Sequence, residues 1–360
     1  MKSLHLLLTI LLVVANHCQT AMSLPVVWNS PYPDNCPSQY KKNFPSDIVS
    51  KFNIDINNNT AFNGAKVTTM YNNPNHMTLG RWPCIDNNGT AINGGVPQLG
   101  NLSLHLHQVR LDIAKQLPVG FDGWAVIDWE VWVPSFDILK MYSGYEIYYN
   151  RSVILAHGNE TEAKAAWNKA SLEFMVATLN AAQQIRPRAK LGYYGMVQCT
   201  FNHTTKECSP KFLKINDQWK SLWEASSALY PELYATCKFS GGNAAPPPHC
   251  DKNASLKLKL TARLREAKRV QALYTDGGKT PYVGFTWYAL DDGVCTRNVG
   301  HCPLMKSRDD LSAEFQSGKE FGAAAIVVWG SSGDVRNVDD CKELESYLET
   351  TLGPMLRGVV

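Results

Sequence analysis

Two spacings of apolar residues alternate along this chain. Short continuous runs rich in β-branched and aromatic residues occupy 66–71, 124–129, 190–195, 233–239, 281–288 and 324–330. Their length and composition predict strands. Between them lie longer stretches in which apolar residues recur every three or four positions, at 102–117, 160–185, 211–229, 255–274, 309–322 and 339–352. That period predicts helices. Several strand runs are apolar throughout instead of alternating, the pattern of strands covered on both faces in a parallel sheet. Repeated β–α alternation therefore predicts an α/β fold: a single domain over 23–360, built as a distorted (β/α) TIM-like barrel. A doubly wound open sheet is the runner-up, and it would usually carry a glycine-rich nucleotide loop after its first strand. The one loop of that kind, "GGKT" at 277–280, fails because the required upstream glycine position holds Leu273.

The first residues break the alternation. "MKSLHLLLTILLVVANHCQTA" has a lysine, an apolar run too short to span a bilayer, and then small and polar residues. It reads as a secretory signal peptide covering 1–22, without a membrane anchor. Asn-x-Ser/Thr sequons at Asn58, Asn88, Asn101, Asn150, Asn159, Asn202 and Asn253 suit a secreted glycoprotein.

The ten cysteines suit the same oxidising compartment. Cys18 leaves with the leader. Short separations suggest Cys199–Cys208, Cys237–Cys250 and Cys295–Cys302, Cys36 and Cys341 lie where they could tie the two ends together, and Cys84 is left over. Spacing alone proves none of these pairs. No cysteine or histidine arrangement has zinc spacing, so no metal or other cofactor is expected. A net charge of +3 argues against a nucleic-acid partner.

The stretch with candidate chemistry is "AVIDWEVW", which places Asp128 and Glu130 inside an apolar run. On a strand, residues two apart share a face, and in a barrel the C-terminal strand ends carry catalytic groups. Two carboxylates side by side raise the proton affinity of one of them, as a general acid in glycoside cleavage requires. Strand-end acids paired with Lys or Arg would account for the doublet equally well. If the pair is catalytic, Asp128 approaches from the same side as Glu130 and is badly placed as a nucleophile. A substrate that supplies its own nucleophile, such as an N-acetyl carbonyl, resolves the geometry.

"GWAVIDWEVW" resembles the catalytic strand of the animal hyaluronidases, secreted endo-β-N-acetylhexosaminidases. "LPVVWNSPYPDNC", "NGGVPQLGNLSLHL", "LGYYGMVQC", "ALYPELY" and "WGSSGDVRNVDDCKELESYLETTLGP" are similar to further family segments, so the resemblance covers most of the mature chain. The short length and "WGSS" look more like invertebrate and venom members. The resemblance implies Glu130 as acid/base, Asp128 as its partner, and Tyr194, Tyr234 and Trp329 around the N-acetylhexosamine. Each of those aromatics has a plain alternative as a packing residue. It also implies Cys36–Cys341 and Cys199–Cys208 disulfides. The partner would be a glycosaminoglycan, hyaluronan or chondroitin, bound by a monomer.

Some positions depart from the family pattern. Val133 stands where many members have Arg, which can contact a substrate carboxylate. Tyr288 lies about where some members carry an acid, with Asp291 and Asp292 displaced from it. "MVQ" at 196–198 replaces Phe-Pro-Asp. These changes motivate an alternative reading: a hyaluronidase-like glycan-binding or adhesion protein with little turnover.

Overall fold

The computed structural model describes residues 24–30, 36, 46–58, 61–234, 237–238, 249–250, 253–289, 305–335 and 337–357; the expected leader, 1–22, lies outside them. The apolar runs become parallel strands: β1 Val26–Asn29, β2 Asp55–Ile56, β3 Val67–Asn73, β4 Trp124–Trp129, β5 Lys190–Tyr193, β6 Val283–Trp287 and β7 Ala325–Trp329. They form two four-stranded sheets. One runs β6-β7-β1-β2; the other runs β3-β4-β5, with the short strand His76–Met77 antiparallel on the β3 edge.

The two sheets join into a ring at both seams. Between β5 and β6, residues 229–232 make parallel bridges, Tyr230 to Tyr194 on one side and Leu229 and Glu232 to Tyr282 and Phe285 on the other. Between β2 and β3 a side chain takes the place of a backbone ladder. Asn57 Nδ2 donates to the Val67 carbonyl at 2.8 Å, and Asn57 Oδ1 accepts from the Lys66 and Val67 amides. The amide side chain carries the same donor and acceptor pair as a peptide group, so it can stand in for one.

Side chains alternate in and out along each strand. Inward-facing Val27, Val67, Val126, Val283, Phe285, Ala325 and Val327 pack with Tyr194, Ala228 and Tyr230 as the barrel interior. The outward residues pack against helices. Helix α1 (Leu102–Gln116) lies against α2 (Glu160–Ile185), and α3 (Asn253–Tyr274) against α4 (Arg308–Phe321). Asn101 and Asn159 cap α1 and α2 by accepting from first-turn amides. Ser307 and Asp310 form a capping box at the start of α4, and Gly322, at φ 79°, ends it in the left-handed conformation that glycine tolerates.

Several sequence expectations need correction. The strand expected at 233–239 is displaced: the chain joins the ring at 229–232, by isolated bridges. Pro231 interrupts that segment and has no N–H for a ladder. The single helix expected at 211–229 is two, Pro210–Gln218 and Lys220–Ala225, broken at Trp219 (φ −93°, ψ 21°). Asn216, at the end of the first, turns its side chain to the Gln198 carbonyl and the Glu266 carboxylate. The helix expected at 339–352 ends at Tyr347 as α5 (Val338–Tyr347), and a wider π turn, Leu348–Leu352, continues it. Strands β1 and β2 and the helix Glu146–Leu155 were not anticipated.

Disulfides join Cys36 to Cys341 and Cys199 to Cys208. Cys84 is buried and free. Cys237 and Cys250 face each other across a short antiparallel pair; their side chains, and Cys295 and Cys302, lie outside the described residues.

Under the outer face of β6, the Lys306 ammonium donates to Glu314 at 2.5 Å and to Thr286 Oγ1 at 2.9 Å, and Thr286 Oγ1 in turn donates to the second Glu314 oxygen. Both charged side chains are fully buried. Breaking such a pair leaves an unpaired buried charge. Lys306→Met is expected to lower unfolding free energy by about 3–4 kcal/mol. Lys306→Met combined with Glu314→Leu should recover much of it. Chemical denaturation of both variants checks this: a double variant no better than the single one refutes it.

Candidate active site

The barrel interior is built in layers, and its uppermost layer is chemically different. Continuing the inward positions toward the C-terminal strand ends gives Val67–Thr69–Tyr71 on β3, Val126–Asp128–Glu130 along and just past β4, Phe285–Trp287 on β6 and Val327–Trp329 on β7. Aliphatic side chains close the floor. Above them, aromatic rings and two carboxylates surround an open cavity of about 200 Å³.

All five residues expected from sequence line this cavity: Asp128, Glu130, Tyr194, Tyr234 and Trp329. Tyr234 stacks on Trp329 with ring centroids 6.3 Å apart, and Tyr194 lies 6.2 Å from Tyr234. Tyr71, Trp287, Thr69, Val126 and Phe285 complete the lining, and none of these was anticipated. Two of them, Tyr71 and Trp287, had a readable signal in strand register, because Tyr71 pairs with Asp128 and Trp287 with Trp329. Trp329 Nε1 donates to Tyr71 Oη at 2.5 Å, and Trp287 Nε1 to Asp334 Oδ2 at 2.8 Å. Both indoles are thus held at fixed angles, crossing at 70°.

The electrostatics follow from this wall. Burial pushes the Asp128 carboxyl up, and the Glu130 charge adds to it. Burial also pushes Glu130 up, with the Glu232 charge next. The two carboxyls titrate together, so their protons belong to the pair. Glu130 reaches solvent at the mouth, and Tyr145 Oη donates to its carbonyl at 3.2 Å where the strand ends. Burial holds the Tyr71, Tyr194 and Tyr234 hydroxyls above the ordinary phenol range, hence protonated and able to donate. The cavity lining contains no lysine or arginine. The salt-bridge alternative for the doublet therefore lacks a partner within the cavity. What remains is a small, aromatic, two-carboxylate pocket that keeps a proton at pH values where an exposed carboxyl has lost it.

Val133 is 5% exposed and packs in the core between barrel and helices, away from the lining. Tyr288 is also buried, as are Met196 and Val197; Asp291 and Asp292 lie outside the described residues. Among the sequons, Asn58, Asn88, Asn101, Asn150 and Asn159 are exposed and Asn202 is half-buried; the Asn253 side chain is not among those described. Among the described residues no cluster of His, Cys, Asp and Glu could hold a metal ion, and no helix is long and apolar enough to cross a membrane.

The family model for hyaluronidase, glycoside hydrolase family 56, matches residues 14–360. A hyaluronidase from Crotalus adamanteus is 31% identical over 352 residues, which is 93% of this chain and 72% of that protein. One from Polistes annularis is 31% identical over 348 residues, covering 93% and 86%. The crystal structure of bee venom hyaluronidase in complex with a hyaluronic acid tetramer superposes with a TM-score of 0.76 at 29% identity, covering 93% of this chain and 99% of that one.

Proposed function

The chain belongs to the hyaluronidase family of glycoside hydrolases, and on that premise we propose that it hydrolyses β-1,4 N-acetylhexosaminide bonds in hyaluronan by a retaining, substrate-assisted route. The observation that carries this reading is the Asp128–Glu130 pair at the mouth of an aromatic cavity of about 200 Å³. In this reading Glu130 donates its proton to the leaving glycosidic oxygen. The N-acetyl carbonyl attacks the anomeric carbon from the opposite face, and Glu130, now ionised, takes a proton from the water that opens the resulting ring. Asp128 accepts a hydrogen bond from the acetamido N–H, which orients the carbonyl and makes it more nucleophilic. Tyr194 and Tyr234 line the pocket around the N-acetylhexosamine, and Trp329 packs on the acetamido methyl group.

Secretion completes the reading, supported by the leader over 1–22, the exposed sequons and the disulfides. The enzyme then works outside the cell on matrix polysaccharide, as a monomer.

The direct test is shortening of hyaluronan and of unsulfated chondroitin chains, scanned from acid to neutral pH. Shortening of neither polymer, with binding retained, would favour the adhesion reading. Asp128→Asn is expected to slow turnover about 10²–10³-fold. Its effect on stability has a definite sign. The native pKa of this carboxyl is raised, so its contribution to stability is present in acid and lost as pH climbs through that value. Removing its charge should therefore leave the melting temperature at neutral pH unchanged or higher. A variant that is both slow and thermally weakened would point to a structural role.

A further inference from the structure

A third carboxylate stands beside the cavity without lining it. Glu232 lies on the segment that joins β5 to β6, two residues before Tyr234, and registers against Phe285, whose ring is part of the cavity wall. Its ion-pair partner comes from α3: Arg263 Nη1 reaches Glu232 Oε1 at 2.8 Å and the Glu232 carbonyl at 2.7 Å, and the charge of the buried Lys306 ammonium also acts on it. The two side chains are 33% and 26% exposed. The pair is therefore neither sealed in the core nor freely hydrated, and its field reaches the cavity with only partial screening.

We propose that the Glu232–Arg263 pair is a further determinant of the reaction, two opposed charges behind the cavity wall that act through Glu130 and fix the pH range in which it works. This rests on the reading of Glu130 as the acid. The groups that face Glu130 are Asp128 from its own strand, Tyr71 from β3, Tyr194 after β5, Tyr145 from the helical turn 143–145 after β4, and Glu232; Glu232 in turn faces Arg263 from α3 and the Lys306 ammonium, which lies 5.8 Å from the Tyr234 ring. Among them Glu232 is the one carboxylate outside the cavity, and it brings a cation with it. Its charge adds to burial in holding the Glu130 proton, and it acts on Tyr194 and Tyr234 as well. Arg263 offsets part of that effect. Glu232 and Arg263 touch neither the reacting atoms nor the cavity surface, so both are positioning residues in an electrostatic sense.

The two charges have opposite signs, so their removal has opposite consequences. Glu232→Gln deletes the negative charge and leaves the arginine, so Glu130 should lose its proton at lower pH. The falling limb of the kcat profile then moves down by roughly half a unit to one unit. Arg263→Gln leaves Glu232 uncompensated and should move the same limb up by a similar amount. Arg263→Lys keeps the charge and should leave the limb in place. Where a variant is too slow for a rate profile, NMR titration of the Glu130 carboxyl reads the same displacement. Opposite displacements establish the proposal. Limbs that stay put, or that both move the same way, overturn it, because a purely structural pair would lower rate or stability without separating the two signs. Glu130→Gln distinguishes this failure from that of the underlying reading: an active Glu130→Gln enzyme removes the acid itself, whereas an inactive one with unmoved limbs removes only the pair.

Discussion

Glu130→Gln should abolish chain shortening while leaving the protein folded. The substitution keeps the shape and volume of the side chain and removes its proton chemistry in both directions: an amide neither protonates the leaving oxygen nor takes a proton from water. General acid–base groups of this kind contribute about 10²–10⁴-fold, and the upper part of that range is expected because one residue serves both half-reactions. The neighbourhood also predicts that the variant will be stable. The Glu130 carboxyl is held up by burial and by the Glu232 charge, so ionising it in the native state is unfavourable, and a neutral amide avoids that cost. Its backbone anchor, the hydrogen bond from Tyr145 Oη to the Glu130 carbonyl, does not involve the side chain. Hyaluronan viscometry on the purified variant, with a thermal melt alongside, decides the matter. Activity within tenfold of the parent would end the assignment of Glu130 as acid.

Removing the Cys36–Cys341 disulfide should produce the largest change in stability. The bond spans 305 of the 360 residues of sequence, and long loops constrain the unfolded ensemble most. In the chain-entropy model this is worth roughly 4–5 kcal/mol. For a domain of this size that corresponds to a fall in melting temperature of about 5–8 °C. The native state offers a further reason. β1 and β7 are adjacent parallel strands, paired from Val26–Ile326 to Asn29–Trp329. Cys36 follows β1, and Cys341 lies on α5 after β7, so the disulfide ties together the elements leaving two neighbouring staves. Calorimetry of Cys36→Ser/Cys341→Ser against the parent measures the effect, and coincident melts would refute it. Since β7 carries Trp329, the same variant should also show a looser cavity.

Most of the barrel was legible in sequence because its strands are buried on both faces and therefore uniformly apolar. Trp124–Trp129 and Glu160–Ile185 begin and end where the patterns do. The parts that were not legible are those in which a side chain or a bridge replaces regular structure. β2 is two residues long, and its connection onward runs through the Asn57 amide; one asparagine among the four in "NIDINNNT" carries no sign of that task. Residues 229–232 close the other seam around a proline, where a ladder pattern was never available. At the site, Asp128 and Glu130 stood out because charge is conspicuous in an apolar run. Tyr71 and Trp287 did not, because an aromatic residue at a strand end is ordinary, and only the pairing of strands reveals that these two face the carboxylates. Glu232 was missed for a similar reason: its relation to Glu130 crosses the ring.

The order of the staves also bears on how the molecule is made. β1 lies between β2 and β7, so one edge of the first strand has no partner until the last strand has been synthesised. About 270 residues separate the end of β2 at Ile56 from the end of β7 at Trp329. At ribosomal speed that is a wait of roughly 15–55 s. Throughout it the thiol of Cys36 lacks its native partner, and an apolar strand edge is open to neighbouring chains. The ring cannot close by growing from its beginning. Closure is the final event after synthesis, and a chain interrupted before β7 would retain its acid pair in sequence yet have no cavity in which to use it.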